Sequence, residues 1–143
     1  MTREEAKKEL RPIKEMESDI RSVELEIERL MTVATKMTPN YEGTSVMGGG
    51  GNRTEDAIIK IEEYRGRLSN LIMASLDYKA QCLNKVEKIY PRTLRSVLMF
   101  YYFSDNTMEK TAELLGHSYQ WTYSMFQSAL DEYCKISEKM SFT

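Results

Sequence analysis

The chain has 143 residues, of which 41% are hydrophobic and 29% charged, and a net charge of −2. That length holds one or two small units, and the slight negative charge excludes the strongly basic composition that binds nucleic acid indiscriminately. No run of about 18 apolar residues exists to span a membrane, and the charged opening MTREEAKKEL reads as no signal peptide, so a cytoplasmic location is expected.

Helix signals begin at once. Thr2 and Glu5 stand at capping-box spacing, and Pro12 either kinks the helix or restarts it as a first-turn residue. From Ile13 the apolar residues run Ile13, Met16, Ile20, Val23, Ile27, Leu30, Ala34 and Met37, in alternating steps of three and four. That is a heptad seam flanked by mixed charge, and it needs a partner. Ile13, Met16, Ile20, Val23, Ile27 and Leu30 are the expected dimerisation seam, so a homo-oligomer through the N-terminal helices is anticipated.

Residues 38–53, TPNYEGTSVMGGGGNR, carry no periodicity and read as a mobile loop. Their glycine run lacks the following Gly-Lys-Ser/Thr and the preceding strand of a phosphate loop, so a hinge is the better reading. Thr54, followed by Glu55 and Asp56, then looks like the N-cap of a second long helix. Its apolar stripe runs Ala57, Ile58, Ile61, Tyr64, Leu68, Leu71, Ile72, Leu76, Leu83, Val86 and Ile89. Two long helices joined by a loop predict an antiparallel, coiled-coil-like hairpin over 1–90.

Tyr90-Pro91 closes that helix. A third, from Arg92 to about Phe103, puts Leu94, Val97, Leu98 and Tyr101 on one face, and the polar turn Ser104-Asp105-Asn106-Thr107 follows, with Glu109 three places after Asn106. Met108 to Leu115 is a short helix with Thr111 or Ala112, and Leu115, facing inward. Gly116 supplies a left-handed cap, and Ser118 caps a last helix whose inward stripe is Thr122, Met125, Ala129, Leu130 and Tyr133. Residues 137–143 read as a frayed end. Two helices about a glycine turn, the second able to enter a major groove, are the core of a helix-turn-helix. The fold class is therefore all-α, a long-helix hairpin at 1–90 followed by a three-helix domain at 91–143.

Catalytic constellations are missing. His117 is the single histidine, and Cys82 and Cys134 have no metal spacing, so no enzyme, cofactor or metal is expected and both thiols read as free.

The segment PRTLRSVLMFYYFSDNTMEKTAELLGHSYQWTYSMFQSALDEY resembles the small phage-encoded late-gene transcription regulators of the ArpU/RinA type, especially in the spacing of Tyr101-Tyr102, Thr107, Ala112, Leu115-Gly116, Ser118 and Ala129-Leu130. The upstream seam-bearing helix, loop and NRTEDAIIKIEEY are similar as well. The resemblance implies a C-terminal helix-turn-helix like region four of bacterial sigma factors, acting on double-stranded DNA in a bacterial host cell, with RNA polymerase as a further partner. It places Tyr119, Gln120, Trp121, Tyr123, Ser124 and Gln127 toward DNA. Such relatives carry arginines on this face, where this chain has Gln120, Ser124 and Ser128.

Residue chemistry allows the same contacts. Gln120 or Gln127 can bond an adenine edge, Ser124 either partner, and Trp121 or Tyr123 a thymine methyl or a phosphate. Arg92, Arg95 and Lys110 are the candidate backbone cations. Five basic residues against six acids from Pro91 onward leave that half at −1, so the alternative is a helical module that docks on RNA polymerase or another regulator through its tyrosines and tryptophan without reading DNA itself.

Overall fold

The computed structural model describes residues 1–37 and 49–141. The regular elements among them are helical: α1 (Arg3–Met37), α2 (Gly49–Val86), α3 (Arg92–Leu98) running on into a π-helical turn (Met99–Phe103), α4 (Met108–Leu115) and α5 (Tyr119–Ser141). No helix among the described residues is long and apolar enough to cross a membrane. Packing groups the chain into two units, Met1–Ser18 with Ala74–Thr143, and Asp19–Met73. The division falls inside both long helices rather than at the 90/91 boundary read from the sequence.

In the first unit, α1 starts as its cap predicts. The Thr2 hydroxyl oxygen accepts the Glu5 amide at 3.2 Å, and the hydroxyl lies 3.2 Å from the Glu5 carboxylate. Pro12 neither ends nor restarts the helix, although it removes one backbone donor. Ala6, Leu10 and Ile13 of α1, Val86 of α2, Leu94, Val97 and Leu98 of α3, and Phe126, Ala129, Leu130 and Tyr133 of α5 are buried in one core. Burying a side chain such as Leu10 contributes about 1.5–3 kcal/mol, so the first turns of α1 belong energetically with the C-terminal helices.

A polar knot crosses this core. The Glu9 carboxylate accepts from Lys85 Nζ at 2.6 Å and from the Tyr133 hydroxyl at 2.7 Å, while the Tyr78 hydroxyl donates to the Glu9 carbonyl. Buried hydroxyls need such partners. Burial first, then the bond to Glu9, pushes the Tyr133 hydroxyl far above the ordinary tyrosine range, and burial pushes Tyr78 up to about 12. Cys82 and Cys134 are free and buried, and burial raises both thiols, which makes them poor nucleophiles.

Several boundaries differ from the sequence reading. α2 begins at Gly49, so Thr54 lies inside it and residues 49–53 of the expected loop are helical; extending a nucleated helix gains a hydrogen bond for each residue fixed. Residues 38–48, the rest of that loop, lie outside the described residues. α2 ends at Val86, and Ile89 is reached through turn bonds from Lys88 N to Lys85 O and from Ile89 N to Val86 O. The end expected to fray is helical to Ser141, with Ile136 and Ser137 buried; residues 142–143 lie outside the described residues.

In the second unit, Ile27 and Leu30 of α1 and Ala57 and Ile61 of α2 are buried. The expected dimerisation seam is therefore not a free surface. Ile13, Ile27 and Leu30 are covered by the chain itself, and Met16, Ile20 and Val23 are half-buried. Ile58, Ile72 and Leu76, assigned to the inner stripe of α2, are exposed instead. Ile58 and Leu76 lie about 100° round the helix from their buried neighbours Ala57 and Ser75, because consecutive residues turn by that angle.

Candidate functional site

The junction of α4 and α5 is fixed by backbone bonding. Gly116 takes φ 74 and ψ 29, a left-handed conformation that a side chain resists. There the His117 amide donates to Ala112 O at 3.0 Å and the Gly116 amide to Glu113 O at 3.1 Å, the paired bonds of a Schellman ending. Ser118 then caps α5: its Oγ accepts from the Trp121 amide at 3.1 Å. Its carbonyl takes the Thr122 hydroxyl at 2.8 Å, which lets Thr122 be buried without an unpaired group. At the other end of α4 the cap is Thr107, whose Oγ1 accepts from the Lys110 amide at 3.0 Å. Asn106, the capping residue read from the sequence, instead donates through Nδ2 to Phe100 O at 2.9 Å.

α4 packs through Thr111 and Ala112, both buried, so the open choice between them resolves to both, while Leu115 is half-buried and Leu114 exposed. On α5 the inward stripe is Thr122, Phe126, Ala129, Leu130 and Tyr133, with Phe126 in place of the expected Met125. The π-helical turn changes which tyrosine of α3 faces in. Ser104 N donates to Met99 O at 3.0 Å, a five-residue step that underwinds the helix. Tyr102 is thereby buried and Tyr101 only half-buried. Both meet Phe126, with ring centroids 6.0 and 5.2 Å from it.

The residues assigned to the DNA side of α5 separate into two groups. Tyr119, Gln120, Tyr123 and Ser124 are exposed, at 47% and 41% for the two tyrosines, whose rings lie 6.3 Å apart and nearly parallel. Trp121 and Gln127 do not join them fully. Trp121 is half-buried and stacked on His117, ring centroids 3.6 Å apart. The Gln127 Oε1 is buried with no hydrogen-bond partner among the described residues.

Of the three expected backbone cations, Arg95 is committed to a turn elsewhere. Arg95 lies 3.4 Å from the carbonyls of Glu87 and Ile89, in the turn whose Lys88 reaches Met140. Met140 and Tyr119 stand at opposite ends of α5, about 31 Å apart at 1.5 Å per residue. Arg95 is thus not brought to the exposed row. Arg92 is exposed at the start of α3, and Lys110 is exposed with Glu113 at 3.6 Å.

Other cations stand there in their place. A groove of about 230 Å3 has Lys7, Arg11 and Lys14 of α1 among its lining, with Tyr101, Tyr119 and Tyr123 also lining it. The three cations sit at steps of four and three, one face of a helix. Lys14 Nζ donates to Tyr101 O at 2.9 Å and Asn106 O at 2.8 Å, pairs with Asp105 at 3.1 Å and lies 4.2 Å from the Tyr101 ring centroid. It is a staple. Lys7 pairs with the exposed Glu4 at 3.3 Å, a contact worth about 0–1 kcal/mol. Beside the groove, Arg3 grips Asp131 through two bonds of 2.7 and 2.8 Å, and the guanidinium holds that carboxyl below the usual carboxylate range.

Sequence reasoning saw the charges flanking the seam, Lys14 among them, only as mixed charge, and gave Lys7 and Arg11 no role. Their spacing was visible, but nothing local ties them to tyrosines more than a hundred residues away. Comparison with known proteins returns no matching family model, no matching curated protein and no matching solved structure.

Proposed function

We propose that the chain is a DNA-binding transcription regulator of the phage or prophage type, acting in a bacterial host cell. In this reading α4, the Gly116 turn and α5 are a helix-turn-helix like sigma region four, with α3 as its third helix. α1 and α2 form an antiparallel N-terminal hairpin, and the protein binds rather than catalyses.

One observation carries the reading. The exposed side of the first turns of α5 presents Tyr119, Gln120, Tyr123 and Ser124, two tyrosines, an amide and a hydroxyl, on a helix whose start is held by the Ser118 cap. Amides and hydroxyls are the groups that read base edges, and tyrosines contact phosphates. Gln120, able to bond N6 and N7 of adenine together, is the residue assigned to specificity. Trp121 is assigned to holding the turn through His117. Fluorescence anisotropy with a short random-sequence duplex pool tests this. Binding that weakens with added salt and is lost in a Tyr119→Ala/Tyr123→Ala variant is the expected result. No binding even at low salt overturns it.

A second reading, docking on RNA polymerase or another regulator, is favoured by the same two exposed tyrosines, because aromatic side chains dominate interface hot spots. It predicts that duplex binding is absent while the Tyr119→Ala/Tyr123→Ala variant loses a protein partner. Self-association falls to the outer side of α2, where Ile58, Ile72 and Met73 are exposed, rather than to the buried seam.

A further inference from the structure

We propose that Lys7 and Arg11 of α1 form a phosphate clamp that grips the duplex backbone beside the nucleotides met by α5; this rests on the DNA-binding reading above. The ligand chemistry is a phosphodiester. The two cations of α1 and Tyr119 and Tyr123 of α5 line one and the same groove. A phosphate lodged there meets a guanidinium fork, an ammonium and phenolic donors at once, the donor types that position proteins on nucleic-acid backbones.

The groups differ in how free they are. Arg11 is exposed and makes no hydrogen bond or ion pair among the described residues. Among the described residues Lys7 holds only the exposed Glu4, which a doubly bridging phosphate can displace. Lys14 is committed to two carbonyls and Asp105, so it positions the wall and is not part of the clamp. Glu4, Asp105 and Asp131 are each matched to a cation, Lys7, Lys14 and Arg3 in turn. A chain of net charge −2 can therefore present a local cationic face next to α5. Arg95 of α3 does not supply it, because it is held at the Glu87–Ile89 turn.

The test is a salt series of anisotropy titrations with the short random-sequence duplex pool, using the intact chain. Each phosphate contact lowers the slope of log K against log salt by about 0.9 and is worth about eightfold at ~0.1 M salt. Lys7→Gln/Arg11→Gln is expected to weaken binding by up to about sixtyfold and to flatten the slope by about two. Lys8→Gln removes the same charge from the neighbouring, non-groove face of α1 and is expected to change little. Arg11→Lys keeps the charge but not the fork, so it should keep the slope while losing part of the affinity. If the double variant, folded by circular dichroism, matches Lys8→Gln in both affinity and slope, the clamp is overturned while the α5 reading stands. If the wild-type chain binds no duplex, both are overturned.

Discussion

Replacing Gly116 with alanine changes only the backbone preference at the α4–α5 turn, because a methyl group there meets no atom within 4 Å. The left-handed φ of +74 costs an alanine about 1–2 kcal/mol. The stiffer unfolded chain gives back about 0.4–1 kcal/mol. The net is a loss of about 1 kcal/mol. Gly66 is the internal control. It lies within α2, an added methyl also meets nothing within 4 Å, and no left-handed φ is present. Alanine there gains the helix preference of about 1 kcal/mol. The same substitution should therefore move stability in opposite directions, about 2 kcal/mol apart. Urea titration read by circular dichroism and by fluorescence of Trp121, which stacks on His117 in the turn, measures both. A neutral or stabilising Gly116→Ala would refute the argument that the turn's conformation, rather than its space, selects glycine. A destabilising Gly66→Ala would do the same.

Tyr133→Phe removes the hydroxyl that donates to Glu9 at 2.7 Å. Lys85 stays on the carboxylate, so the loss should be about 1–2 kcal/mol by urea titration; no loss would mean that the polar knot carries no stability. The same knot sets an alkaline limit. Tyr133 and Tyr78 titrate higher folded than unfolded, so their contribution is whole below the unfolded value of about 10 and is lost as pH rises above it. Tyrosinate absorbance should show both hydroxyls ionising only with or after unfolding, against the exposed tyrosines as reference. On self-association, Ile58→Glu/Met73→Glu should shift the chain toward monomer in sedimentation while leaving its helicity intact. Ile27→Glu, which buries a charge in the second unit, should instead reduce helicity. A wild-type chain that is monomeric at every concentration would end the self-association proposal.

What could be read from the sequence was what is decided locally. Gly116 and Ser118 are legible because a left-handed turn and an N-cap are set by two or three neighbouring residues. Phe126 was legible and missed, since it stands four residues from both Thr122 and Leu130, the spacing that defined the stripe. Tyr102 was not, because the π-helical turn shifts the facing by a fraction of a turn that a regular period cannot express. The heptad seam was correctly seen as needing a partner, yet a seam does not say whether its partner is another chain or the same one. Arg92 and Arg95 stand in the same C-terminal half as α5, whereas Lys7 and Arg11 reach its start only through packing of α1. Exposed row and groove alike depend on that long-range placement.

Selection from a random duplex library by the purified chain tests the central claim most directly, run in parallel with Gln120→Ala. The account predicts an enriched site for the wild-type chain and relaxed preference at one adenine-bearing position for the variant, a loss of about 1–3 kcal/mol of discrimination there. No enriched site, or the same site with undiminished preference from Gln120→Ala, would contradict the reading of DNA by α5.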